Sequence, residues 1–225
     1  MGGTGSGTSV TPIGSVSFDL FLPEVLPHVP GCPVVIALNA IRNACREFCR
    51  MSTIWRDWLG PLTSVVDQPT YTLLVDAGTE VVVPTKVRYD GNDIDAAARE
   101  VLDHLLPNWE SAESGTPTQY LVETQGTIRL YVPPDEATAD IIEVEAALKP
   151  SAVATAVGDV VYNDWLETIA AGAISRLMKI PKADWSDIKL AVYYETIFQD
   201  GVAMARHTVD VGHVKRSRQA KMMRW

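Results

Sequence analysis

Two apolar stripes at helical spacing, separated by Ile180-Pro181, constrain this chain more than any other feature. Trp165, Ile169, Ala173 and Leu177 recur every four positions, and Val161, Leu166, Ala170, Ile174 and Met178 widen the stripe into a face that demands burial. The pattern opens at Tyr162-Asn163-Asp164-Trp165 and predicts a helix. Proline cannot continue the hydrogen-bond ladder, and the residue before it avoids the helical region, so the helix stops at Ile180-Pro181. Asp184 or Ser186 then caps a second helix, whose Ile188, Val192, Ile197, Phe198 and Val202 follow loosely at helical turns. Two helices on so short a connection lie antiparallel.

Upstream, Pro33 suits a first helical turn, and Val34, Leu38, Ile41, Cys45, Phe48 and Trp55 follow at intervals of three, four or seven. This predicts the longest helix over 33–57, ended by Gly60-Pro61. Residues 62–89 are rich in Val, Thr and Tyr and are broken by Asp67-Gln68-Pro69 and Asp76-Ala77-Gly78, the chemistry of strands and turns. A third helix is expected over 93–106, capped by Asp93 or Asp95, with Ile94, Ala98, Val101, Leu102 and Leu105 inward and Pro107 as its stop. Residues 119–132 and 141–148 read as strands, the first split by a hairpin turn at Gln125-Gly126.

The expected fold class is therefore α+β: an antiparallel helical bundle built from 33–60 and 151–206, with an inserted β-rich domain over 61–150 containing one helix. Extended terminal arms flank it. Residues 1–32 form a flexible N-terminal arm whose Gly/Ser/Thr-rich start buries little, although Phe18, Leu20, Phe21, Leu22, Val25 and Leu26 can pack as a short helical turn. Residues 207–225 form a basic tail.

Charge divides the chain. The net charge is −9, yet residues 211–225 carry five cations and no acid, which leaves −14 for the rest. An acidic body repels nucleic acid, whereas the tail is drawn to an acidic surface or a phosphate backbone. With 47% hydrophobic and 21% charged residues, the composition is that of an ordered globular protein. Three cysteines and a start without a basic, then apolar, leader predict synthesis in a reducing cytoplasm, and no apolar run is long enough to make a membrane a partner.

The sharpest chemical alternative is a zinc site from His28, Cys32, Cys45 and Cys49, since residues four apart share a helix face. Against it, zinc knuckles use CxxC turns, and Cys45 falls on the apolar stripe. His28, His104, His207 and His213 accompany no nucleophile elbow, and neither a P-loop nor a GxGxxG loop is present. The acid pairs Asp93/Asp95, Glu110/Glu113, Asp135/Glu136 and Glu143/Glu145 lie beside turns or alternate along strands, the pattern of a solvated face. The expectation is a protein that is not an enzyme, with no catalytic, cofactor-binding or metal-binding residue. Of the six tryptophans, Trp55 and Trp165 read as core, whereas Trp225 closes a polar segment behind Met222, Met223 and Arg224, residue types that anchor protein interfaces.

Trp165, Glu167, Ala171, Arg176 and Leu177, followed by Pro181, Trp185, Tyr193, Tyr194, Phe198, Gly201 and Ala205, resemble the C-terminal helical hairpin of the head-to-tail adaptor, or connector, proteins of tailed bacteriophages. The run Gly126-Thr127-Ile128-Arg129-Leu130-Tyr131-Val132-Pro133-Pro134 is similar to a strand and proline-rich exit in the same family. The resemblance implies a homo-oligomeric ring, usually of twelve copies, at the head-tail junction of the virion. One face of the ring meets the portal protein, the other a downstream tail or nozzle protein, and genomic DNA passes through the channel without specific binding. It also implies a portal-docking tail over 207–225, with His213, Lys215, Arg216, Arg218, Lys221, Met222, Arg224 and Trp225 as its contact residues. The competing class is a DNA-binding packaging factor that uses the same cations on phosphates, although the body carries the wrong sign for that role.

Overall fold

The computed structural model describes residues 14–106 and 108–211. The proposed docking tail from residue 212 onward, the start of the arm and the Pro107 stop lie outside the described residues.

In chain order the elements are β1 (Ser15–Ser17), α1 (Leu22–Val25), α2 (Val34–Ser52), β2 (Arg56–Leu62), β3 (Thr70–Thr72), β4 (Thr79–Tyr89) and β5 (Asn92–Ala96). They continue with α3 (Arg99–Leu105), β6 (Gln119–Thr124), β7 (Thr127–Tyr131), β8 (Ile142–Pro150), β9 (Ala156–Gly158), α4 (Asp159–Met178) and α5 (Ile188–Val211). Seven strands form one sheet in the order β2-β8-β4-β5-β6-β7-β3, and β1 pairs with β9 in a second small sheet. Leu59 on one edge strand and Tyr71 on the other belong to a single buried cluster with Val87, Ile128, Leu130, Ile142 and Val144, so the sheet curls around its own core. All its pairings are antiparallel except β5 with β6, which α3 joins as a crossover.

The expectation of an antiparallel helical bundle with an inserted β-rich domain and extended arms is overturned: the fold is mixed α/β, five described helices against this curled sheet. The reason is packing. Helix α2 lies on β8, where Arg46 and Lys149 share Glu80 at 3.4 and 3.3 Å, and the sheet begins at Arg56, before the boundary assigned to an insert. Trp55 packs against both the helical core and the sheet core, while its carbonyl accepts the Leu148 N–H at 2.7 Å. The segment expected to be a flexible arm is folded from Ser15 onward. Strand β1 pairs with β9, and Phe18, Phe21, Val25 and Val29 are buried in the helical core, where apolar burial outweighs the entropy of ordering them.

Three local expectations also change. Helix α2 ends at Ser52, where Thr53 takes a left-handed conformation (φ 53°), because the following residues gain a ladder with β8; Gly60-Pro61 lies within β2 instead of ending a helix. Asp93 and Asp95 lie in β5 and cap nothing: Asp90 (φ 51°) and Gly91 (φ 71°) turn the chain into a hairpin that pairs Val87 with Ile94. The helix expected over 93–106 shrinks to α3, preceded by Ala98. At the start of α5 the cap is Asp187, whose Oδ1 accepts the N–H groups of Lys189 and Leu190, because Ser186 is engaged as a donor to the last carbonyl of α4, that of Met178. The tail boundary also shifts, since 207–211 belong to α5.

Candidate interaction site

Most of the hairpin residues that carry the adaptor resemblance pack α4 and α5 together or onto their neighbours, whereas the run over 126–134 lies at β7 of the sheet. Gly172 leaves room for the Phe198 ring, since a Cβ there would stand 2.5 Å from it. Gly201 does the same for Thr168, at 2.4 Å. Ala171 and Ala205 are buried and keep the helices close, Leu177 fills the core, and Trp165 tilts against Phe48 with ring centroids 5.5 Å apart. At Trp165 the backbone departs from helical values (φ −130°, ψ 19°), so α4 is two helical pieces joined at a kink. The Arg176 guanidinium pairs with Glu47 of α2, donates to the Gly172 carbonyl and lies 5.5 Å from the Phe198 ring centroid, clamping α2, α4 and α5 together. The Tyr194 hydroxyl shares a 3.0 Å hydrogen bond with His28 Nδ1, which ties α5 to the segment after α1. Glu167, Pro181 and Tyr193 of the motif face solvent, and Trp185 is half-buried.

One carboxylate in the hairpin is electrostatically set. Hydrogen bonds from Gln199, Lys179 and Ser175 lower the Glu195 pKa from 4.5 to about 2. A depressed folded-state value means that the stabilisation is present above pH 4.5 and is lost as pH falls toward 2. With 35% of the Glu195 side chain and 47% of Lys179 exposed, screening holds the effect to about 0.5 kcal/mol. Urea titrations of the wild type and Glu195→Gln at pH 7 and pH 3 are expected to show a gap that narrows on acidification.

The other candidate groups are dispersed. His104 and His207 are exposed, and His213 lies outside the described residues. Cys45 and Cys49 are fully buried, and desolvation pushes both thiols well up; Cys32 is buried near the surface, and among the described residues no three potential ligands gather. The acid pairs are engaged separately. Asp93 is held below the usual carboxylate range by hydrogen bonds from Lys86 and Arg88, Glu143 pairs with Arg88, Glu110 with Arg99, and Glu145 accepts from Thr85. Trp109, which the sequence reading left unassigned, is buried, with the Arg99 and Arg129 guanidinium groups 5.4 and 5.1 Å from its centroid and its indole N–H on Asp103. All eight predicted docking residues, His213, Lys215, Arg216, Arg218, Lys221, Met222, Arg224 and Trp225, lie outside the described residues; Val211 of α5 is the point from which they follow.

Along α5, Ile188, Val192, Tyr193 and Met204 are each 59% or more exposed. No described helix is long and apolar enough to cross a membrane.

The motif residues of the hairpin lock its own packing, and apolar side chains remain exposed along α5. A family model described as SU10 adaptor protein matches residues 22–220. The chain belongs to that family, a phage head-to-tail adaptor-type family, and is accordingly a phage adaptor, a structural component of the virion. No curated protein matches the chain.

Proposed function

We propose that this adaptor forms a homo-oligomeric ring, of about twelve copies by analogy with the ring geometry of such connectors, that joins the portal to the downstream tail or nozzle protein at the head-tail junction. The family match across 22–220 is the observation that carries this reading. Genomic DNA passes along the central channel, where a body with an excess of acids keeps the duplex from sticking. The exposed apolar residues of α5 supply copy-to-copy contact, and the segment after Val211 docks to the portal through His213, Lys215, Arg216, Arg218, Lys221, Met222, Arg224 and Trp225. The role is structural and non-catalytic.

Removal of residues 212–225 is expected to abolish binding to purified portal, read by light-scattering mass and negative-stain occupancy, while the circular dichroism of the described body is retained. Unchanged portal occupancy would refute the docking role. Duplex DNA bound in preference to portal at physiological salt would assign the cations to phosphate instead.

A further inference from the structure

A groove of about 880 Å³ runs between the edge strand β2, the turn at 76–79, β9 and the start of α4. Its lining mixes polar and apolar groups; Trp58, Leu74 and Val153 are 42%, 73% and 83% exposed, and the Arg88 guanidinium lies 4.4 Å from the Trp58 ring centroid. Three carboxylates line it, Asp57, Asp76 and Asp159, against one cation, Arg56. A groove of this chemistry selects an apolar segment that carries positive charge.

The chain supplies such a segment. Residues 215–225 hold Lys215, Arg216, Arg218, Lys221 and Arg224 together with Met222, Met223 and Trp225, and no acid. The connection is also long enough to reach. Contacts of Ser175 with Glu195, Gly172 with Phe198 and Gly201 with Thr168 show α5 running antiparallel to α4, so its last turn heads toward the N-terminal end of α4, where Asp159 and Val160 line the groove. From Val211, residues 212–225 span up to about 45 Å when extended, several times the length of a short strand.

We infer that this groove is the seat of the chain's own C-terminal segment, with Met222, Met223 or Trp225 against the exposed Leu74 and Val153 and with Lys221 and Arg224 facing Asp57, Asp76 and Asp159. The free subunit thereby covers the residues that, on the reading above, meet the portal, so that self-docking and portal docking exclude one another. The inference rests on that reading only for the identity of the competing partner.

Disulfide trapping tests it on the full chain. Val153→Cys is paired with Met223→Cys, and the control pairs Met223→Cys with Val101→Cys, which is 50% exposed on α3 and away from the groove. The native cysteines are buried. Under mild copper-phenanthroline oxidation, the groove pair is expected to close within one chain about tenfold faster than the control, as tethering near a binding site predicts. Asp57→Asn with Asp76→Asn, or 1 M salt, should slow it. Equal rates for the two pairs would overturn the inference, and so would disulfide-linked dimers whose yield rises with protein concentration, since these place the segment on a second copy. Portal binding that needs 212–225 but is accompanied by no trapping would leave the portal reading intact and remove this one; trapping without portal binding would do the reverse.

Discussion

Phe198→Ala is expected to cost about 4 kcal/mol, the usual scale for emptying a buried aromatic site, and to lower Tm by about 12 °C in a chain of this size. The ring is fully buried between α4 and α5. Gly172 has room only for that ring, so no neighbouring side chain is poised to fill the space, and the Arg176 guanidinium stacked on it loses its platform. The cavity therefore stays open. Guanidinium denaturation should show a lower midpoint with an unchanged slope, the signature of lost packing without a change in cooperativity. Val192→Ala, on the same helix but 59% exposed, is the control and should shift stability by no more than about 0.5 kcal/mol.

Trp55→Ala should have a different character, because Trp55 joins two cores. Its ring rests against Gly158, where a Cβ would stand 2.7 Å from it, and it touches both the helical cluster and the sheet cluster. Truncation is expected to cost about 3 kcal/mol and to separate the two cores energetically. Near-ultraviolet and far-ultraviolet melting curves, coincident in the wild type, should split in the variant. Coincident curves in Trp55→Ala would mean that the α2–β8 contact alone couples helices and sheet. Gly158→Ala approaches the same joint from the opposite side, by overpacking it.

Local pattern does not reveal this joint. A helix-rich start, a strand-rich middle and a helix-rich end read naturally as a bundle with an insert, since periodicity reports which face of an element is buried and not what it is buried against. The apolar stripe of α2 was legible, with Ile41, Cys45 and Phe48 all buried. Its packing on β8 was not. Strand β5 carries a local signal, since Asp90-Gly91 is a strong hairpin dipeptide, but Ile94, Val101 and Leu105 also fit helical spacing; the salt links of Asp93 to Lys86 and Arg88 across the hairpin accompany the strand. Likewise, Asp187 replaced Asp184 and Ser186 as the cap because the Met178 carbonyl, eight residues from Ser186, competed for the serine hydroxyl. The motif residues of the hairpin were legible as a set; their use as spacers and clamps became visible only with both helices in place.

Local pattern is enough for the helical hairpin with its break near Pro181, the burial of the α2 stripe, the β6–β7 turn at Gln125-Gly126 and the separation of an acidic body from a basic end. These follow from local rules, since spacing, proline and charge act within a few residues. The tertiary structure alone decided that the sheet curls on its own core and packs on α2, that the segment from Ser15 is part of the body, and that Trp55 joins the two cores. Those outcomes depend on apolar surfaces far apart in sequence meeting one another, and the free energy of burial depends on area and shape, not on order along the chain.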